Sequence, residues 1–545
     1  MVYKKKMGAL HHLRQAQRIA LVSLGVALFA APAMSEEQVL RIAMTASDIP
    51  LTTGQPDSGF EGYRFLGYTI YDALINWDMS SAEEVSGLTP GLAESWEVDA
   101  DDSRIWTFNL REGVAFHDGS EWNADAAIWN LDKIYDEDAE QFDARQAGNV
   151  RGRIPSMDGY AKVDDYTLQF TTSEPDAWFP YQLSFLLFSS PAQWEALGGD
   201  WDAFASAPSG TGPFKLTRLV PRERAVLEPN VEYWDEARVP RLARLELIPM
   251  PESSSRTSAL LSDQVDWIES PAPDAIPRMQ SQGIDITSNP YPHTWPYQFS
   301  MQEGSPWRDI NVRKAANLAV DREGLEAMLG GLMVPAVGIV TPDHPWYGEP
   351  TFETRYDPDE AIRLLAESGF SPENPVEVKV LISTSGSGQM QPLAMNEYIQ
   401  QNLAEVGIAL DFEVLDWESL FPNWRRGADD ASSRGAHTTN ITFAWLDPFS
   451  AFYRFMHSSM APPNGFNWGY MNNPEYDRLL DEARVTFDQT EQDAILAEFH
   501  ARMVDDAAWL WVAHDVGPRA MQPRVKGFVQ AKNWFQDLTP VYIEE

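Results

Sequence analysis

Short runs of alternating apolar and polar residues mark the strands of this chain. Leu40-Arg41-Ile42-Ala43-Met44, Trp106-Thr107-Phe108-Asn109-Leu110, Arg244-Leu245-Glu246-Leu247-Ile248 and Glu377-Val378-Lys379-Val380-Leu381-Ile382 have the length and β-branched or aromatic content of strands. Between such runs lie amphipathic segments with helix-start chemistry. Asp357-Pro358-Asp359-Glu360 places a capping side chain, a first-turn proline and two acids ahead of AIRLLAESG, which stops at Gly369. Asn473-Pro474-Glu475 opens a second helix, and Asp309 caps a third, INVRKAANLAV. Strands that alternate with helices of this length predict α/β lobes. No internal repeat and no low-complexity segment interrupts the pattern.

One glycine-containing stretch, Pro208-Ser209-Gly210-Thr211-Gly212-Pro213-Phe214-Lys215-Leu216, superficially suggests a phosphate-binding loop. Its spacing argues against that. A P-loop needs four residues between its glycines and runs into a helix, whereas one residue separates these, Pro213 removes an N–H donor, and strand-like alternation follows. A tight turn feeding a strand is expected. The acidic stretch Asp99-Ala100-Asp101-Asp102 lacks the glycine and closing glutamate of a calcium loop and reads as a hairpin turn.

Length changes the picture: 545 residues exceed one ordinary core, so two or more lobes are expected. The N-terminus carries Lys4, Lys5, Lys6, Arg14 and Arg18, then an apolar run from Ile19 to Ala31, then Ala31-Pro32-Ala33. This is the layout of a secretory signal, with residues 1–33 removed and the remainder exported to the periplasm. That remainder holds 36 basic and 81 acidic residues, a net charge near −45 that repels nucleic acid and anionic membranes. No cysteine is present, which excludes disulfides, a thiolate metal site, a Cys nucleophile and a lipid-modified cysteine anchor. No G-x-S-x-G or H-E-x-x-H motif occurs, and the seven histidines beyond residue 33 include no pair at metal-ligand spacing. No enzyme, cofactor or bound metal is expected. An exported hydrolase built on a carboxylate pair is the remote alternative.

Leu88-Thr89-Pro90-Gly91-Leu92-Ala93-Glu94-Ser95-Trp96, followed by IWTFNLREGVAFHDGSEWNADAAIWNLDKI from Ile105 to Ile134, closely resembles the signature block of the family 5 extracellular solute-binding proteins, the peptide- and nickel-type receptors of ABC importers. Phe108, Leu110, Arg111, Gly113, Val114, Phe116, His117, Asp118, Gly119 and Ala124 fall in register; Ala126 departs from the family's usual Asp. PSGTGPFKL resembles the family's P-x-G-T-G-P element, and D-x-x-V-R-x-A at Asp309 to Ala315 matches another block. YDPDEAIRLLAESGF, NLAEVGIALDFEVLDW and NPEYDRLLDEA continue the likeness to the C-terminal blocks.

The resemblance implies a two-lobed α/β periplasmic-binding-protein fold of the class II type with an extra subdomain on lobe one. Lobe one would span 34–290, with the subdomain at about 70–208, lobe two 291–521, and a C-terminal return to lobe one 522–545. Asn289-Pro290-Tyr291-Pro292 and Gln522-Pro523 would form the hinge. A small solute or short peptide would be swallowed between the lobes and delivered, by a monomer, to permease subunits in the inner membrane.

The same resemblance nominates ligand contacts. Trp445-Leu446-Asp447-Pro448 is a shortened form of a family loop that faces the cleft; its Asp447 aligns with the acid before proline rather than with the acid that takes a peptide's α-amino group. Ser383 to Gln389 lacks the arginine that dipeptide receptors place against the ligand carboxylate. Aromatic faces at Trp295, Tyr297, Trp445 and Tyr453 could stack on a ligand, and Asp48 and Glu61 stand where first-lobe loops approach the cleft. Arg425 and Arg426 could supply positive charge, with surface solvation as the alternative fate. A peptide-like solute is the first expectation. An oligosaccharide, an opine or chelated nickel is the alternative, with His293, His437 and His457 as conceivable contacts for the last.

Overall fold

The computed structural model of the protein describes residues 38–57, 60–386 and 388–544. The expected signal segment lies outside them. Two seven-stranded sheets organise the chain. In the first, Val39–Met44 runs parallel to Arg244–Pro249 on one side and Trp267–Glu269 on the other. Antiparallel strands Arg224–Pro229 and Phe214–Val220 extend it one way, and Arg519–Met521 and Asp285–Thr287 the other.

The second sheet centres on His293–Phe299, paired antiparallel with Trp509–Asp515, Thr438–Asn440 and the short Phe443–Ala444. Met333–Pro335 flanks Trp509–Asp515, while Val376–Ser383 and Ile408–Leu415 continue the sheet in parallel. All seven residues of His293–Phe299 and of Trp509–Asp515 are buried, as expected of central strands covered on both faces. Pro296 cannot donate to the ladder, and the register with Trp509–Asp515 shifts between Trp295 and Pro296.

A smaller antiparallel sheet of Ala93–Val98, Ile105–Leu110, Thr167–Thr172 and Met157–Asp164 lies within the first-lobe portion of the chain. Its strand Thr167–Thr172 buries every second residue, the signature of a sheet with one face on a core. The predicted helices form at Ile310–Ala319, Pro358–Glu367 and Pro474–Val485, and Asp309, Asp357 and Asn473 accept from the N–H groups of Asn311, Glu360 and Glu475.

PSGTGPFKL is a turn that enters the strand Phe214–Val220. Its glycines are needed because the backbone of another segment comes close. A Cβ at Gly212 would lie 2.5 Å from the carbonyl carbon of Ile70, and one at Gly210 would lie 2.2 Å from the Ile70 oxygen. Thr211 donates to Asp72 at 3.0 Å, and His117 of the signature block donates from Nε2 to the Gly212 oxygen at 2.9 Å. Burial holds His117 down at about 4, so the imidazole is neutral and can make this bond.

Two segments connect the large sheets, one between Thr287 and His293 and one between Asp515 and Arg519. They bind each other: Asn289 donates its N–H to the Val516 oxygen at 2.8 Å, and Tyr291 donates its hydroxyl to Asp515 at 2.7 Å. The second crossing therefore precedes Gln522-Pro523, where proline content had suggested it. Gly517, with φ of +52°, supplies the bend, and Arg519 is already anchored in the first sheet beside Glu269.

Candidate functional site

A cavity opens between the portions of the chain built on the two sheets. Phe60 and Arg153 come from the first-lobe side. His293, Trp417, Phe421, Trp424, Thr442, Phe443, Ala444, Arg454 and Phe466 come from the second, and Trp534 from the C-terminal return. The walls are thus mainly aromatic, with two guanidinium groups. Among the described residues no carboxylate lines it, although Asp57 and Glu418 line the space that adjoins it at Arg153, Trp417 and Phe421.

Local folding puts each group in place. Glu61 is buried and accepts from the Thr45 hydroxyl and the Ala46 N–H, which fixes the turn that presents Phe60. Burial raises the pKa of this carboxyl, and its hydrogen bonds and Arg64 oppose the rise. Arg153 donates from Nε to the Asn149 oxygen at 2.9 Å and lies 5.1 Å from the Phe60 ring centre. Arg454 follows a π-helical turn, Phe449–Tyr453, and packs over Phe455 at 4.4 Å and Phe466 at 5.3 Å. Trp534 stacks on His293, with ring centres 5.5 Å apart and planes 16° from parallel, and its ring lies 3.8 Å from the Arg64 guanidinium.

None of the seven residues nominated from the sequence walls this cavity. Asp447 accepts from the Ser450 N–H at 3.1 Å and the Ser450 hydroxyl at 2.7 Å, and so caps the turn that leads to Arg454. Burial pushes its pKa up. Trp295 donates to the Gln389 oxygen, and Tyr297 bonds Asn396; both sit in the core of the second lobe. Trp445 donates to Thr294 and packs against His344 and Trp346. Tyr453 stacks on His457 and meets Trp178 edge-on where the second lobe touches the smaller sheet's domain. Asp48 is half exposed and accepts from the N–H groups of Ile49 and Arg222. These polar atoms are engaged in structure. Glu61 adjoins Phe60 and Trp445 adjoins Ala444, so two of the nominated positions neighbour lining residues without lining the cavity themselves.

The three histidines considered for nickel are held separately. His293 bonds Thr442, His437 accepts from the Lys379 N–H, and His457 bonds Ser459. Among the described residues no group of three His, Cys, Asp or Glu is arranged to hold a metal ion. Arg425 is half-buried, donates to the Gly148 oxygen at 3.0 Å and packs over Phe421 and Phe466, so it is not a solvated surface group. The signal that could have exposed Arg454 is its setting, a lone cation inside the apolar run FSAFYRFM. Arg153 and Trp534 have no comparable signal.

Next to the crossing segments the first sheet holds a second set of buried charges. Arg64 pairs with Glu269 at 2.6 Å, and Arg519 meets the same carboxylate at 3.3 Å. Trp267 donates to Glu269 at 3.0 Å. Arg519 and Arg64 hold the Glu269 carboxyl below its usual range in spite of burial.

Comparison with known proteins agrees with this architecture. The sequence profile of the bacterial extracellular solute-binding proteins, family 5 middle, matches residues 87–462. The periplasmic oligopeptide-binding protein OppA of Salmonella typhimurium is 26% identical over 81% of this chain and 81% of its own length. The dipeptide-binding protein of a Pseudoalteromonas species, solved with Met-Leu, superposes with a TM-score of 0.81 at 19% identity, over 93% of this chain and all of the other. An Agrobacterium tumefaciens binding protein solved with mannopinic acid gives 0.75 at 20% identity, over 93% of this chain and all of that one. With its profile match, its two linked sheets and a cavity walled from both, the chain belongs to the bacterial extracellular solute-binding proteins of family 5.

Proposed function

We propose that the protein is the solute receptor of an ABC importer, which captures a peptide-like solute between its lobes in the periplasm and hands it, unchanged, to a membrane permease. The observation that carries the reading is the composition of the cavity wall. Phe60 and Arg153 on one side, the Trp417 to Phe466 group on the other and Trp534 between them must come together to enclose a ligand, so binding energy drives closure about the two crossing segments. A monomer suffices, since one chain supplies the whole wall. Relatives named for oligopeptides and dipeptides support a peptide-like ligand. The neighbour bound to mannopinic acid supports a compact opine as the second reading.

The test is to purify the protein from periplasm without denaturation, unfold it, and identify what is released by mass spectrometry. One small solute per chain, recovered intact after incubation with the refolded protein, supports the receptor. Conversion of that solute into products would replace it with a hydrolase, and the absence of any stoichiometric solute would count against capture.

A further inference from the structure

The charge of the cavity wall goes further than the receptor reading on which it rests. This chain carries 81 acidic and 41 basic residues, so a buried arginine has abundant acids to pair with. Elsewhere the buried arginines are matched. Arg64 and Arg519 share Glu269, and Arg484 meets Glu174 and Asp176. Arg256 donates to four carbonyl oxygens, and Arg322 is satisfied mainly by the oxygens of Asn317, Val320 and Trp511.

Arg454 breaks this pattern. It is 5% exposed, its Nε is enclosed without a hydrogen-bond partner, and among the described residues its guanidinium makes no ion pair and no hydrogen bond. Its contacts are the faces of Phe60, Phe443, Phe455 and Phe466, which offset only part of the loss of solvation. Two further cations stand near it. Arg153 is 6% exposed and Arg425 is half-buried; each reaches a backbone oxygen but no carboxylate. Burial first, and then the positive charge of Arg153, disfavours the charged forms of Arg454 and Arg425, while Asp447 favours that of Arg454 without forming an ion pair with it. The acids closest to this end are otherwise engaged. Asp447 holds Ser450, Asp57 holds the Leu51 N–H and Arg145, and Glu418 accepts from the Ser47 hydroxyl.

We infer that the cavity selects peptide-like solutes carrying at least two anionic groups, one of them a carboxylate, on an aromatic or apolar body, with no free ammonium group. Guanidinium groups bind carboxylates through paired N–H donors, and one anion leaves the repulsion among three cations largely in place. An α-ammonium group inside this cavity would meet arginine and aromatic faces. The nearest lining acids, Asp57 and Glu418, belong to the adjoining space past Arg153, Trp417 and Phe421 and are held by Leu51, Arg145 and Ser47. The rings of Trp417, Trp424 and Phe466 supply the apolar contact.

The test uses ligand-stripped, refolded protein and three probes of similar size: N-glutaryl-phenylalanine, a dianion; glycyl-phenylalanine, a zwitterion; and N-acetyl-phenylalaninamide, which is neutral. Affinities come from calorimetry and thermal shift. The dianion is expected to bind at least tenfold more tightly than either other probe, and to lose at least tenfold in Arg454→Met. Arg153→Met, read the same way, guards against a misfolded first variant, and circular dichroism of each variant confirms its fold. Equal or tighter binding of the zwitterion or the neutral probe overturns the inference and leaves the receptor reading standing. Failure of all three probes also overturns it, while the solute released from native protein tests the receptor independently. Unchanged dianion affinity in both folded variants overturns it as well.

Discussion

Two sets of buried arginines lie in this protein, and they have been treated differently. At the crossing segments Arg64 and Arg519 converge on Glu269, whose other oxygen contacts include the Trp267 indole. At the cavity Arg153 and Arg454, with Arg425 nearby, make no ion pair with any acid among the described residues. Desolvation opposes the charge in both places. A cation that is paired inside the protein holds the structure together, whereas one left unpaired in a cavity is poised for a partner that arrives from outside. Burial alone does not separate the two kinds of arginine; hydrogen-bond and ion-pair partners inside the protein do. Arg256 and Arg322 are satisfied by carbonyl oxygens and Arg64 and Arg519 by Glu269, whereas the Arg454 guanidinium has none among the described residues.

The largest effect should come from breaking the paired set. Glu269→Gln leaves Arg64 and Arg519 buried without their carboxylate and should lower stability by about 3–5 kcal/mol in denaturant unfolding; a loss below about 1 kcal/mol would erase the distinction between the clusters. The sign of the pH dependence follows from the depressed carboxyl. Its stabilisation is present above the ordinary glutamate value of 4.5 and is lost as pH falls below it, so the wild type should lose stability more steeply than Glu269→Gln in that acid range.

Buried histidines sharpen the contrast, because they avoid an unpaired charge by staying neutral. His500 donates from Nδ1 to the Tyr347 oxygen at 2.8 Å and accepts the Ile339 N–H at 3.1 Å, and burial lowers it from 6.5 to about 4. Between those values the unfolded chain binds the extra proton, so stability rises with pH across the window. Replacing His500 with Gln should flatten that slope by about 1.4 kcal/mol per pH unit, measured as unfolding free energy at a series of pH values.

Asp447→Ala should cost about 1 kcal/mol through the lost cap and change the affinity for the native solute less than twofold. Loss of binding with the fold intact would make Asp447 a ligand contact. The smallest effect on stability belongs to Arg454→Met. It should leave unfolding free energy within about 1 kcal/mol of the wild type, or raise it, since an uncompensated buried cation is exchanged for an apolar side chain. A fall of several kcal/mol would mean that Arg454 has an internal partner after all.

Much of the fold was legible because its signals are local. Asp357 with Pro358, Asn473 with Pro474 and Asp309 each start a helix by satisfying N–H groups within three residues, and the turn at Gly210 to Gly212 declared itself through its spacing. The crossing at residues 516–518 was harder to place. Proline marked Gln522-Pro523, but the bend depends on Gly517 and on a pairing between Arg519 and Glu269 that spans about half the chain. The cavity was least legible. Its wall is assembled from Phe60, Arg153, His293, Trp417, Arg454 and Trp534, which no periodic pattern connects. Asp447 and Trp445 attracted notice for their resemblance to a ligand loop, yet Asp447 caps the turn that precedes Arg454 and Trp445 packs against His344 and Trp346.

The place of Trp534 in the wall has a consequence for the life of the molecule. A polypeptide made from its N-terminus has most of the solute chamber encoded by residue 466, but the indole that stacks on His293 and roofs Arg64 comes almost seventy residues later. Until that part of the chain has been synthesised and has folded back, no closed chamber exists. Closure of this wall therefore depends on the last part of the chain, and a chain that ended before Trp534 would lack one side of the cavity.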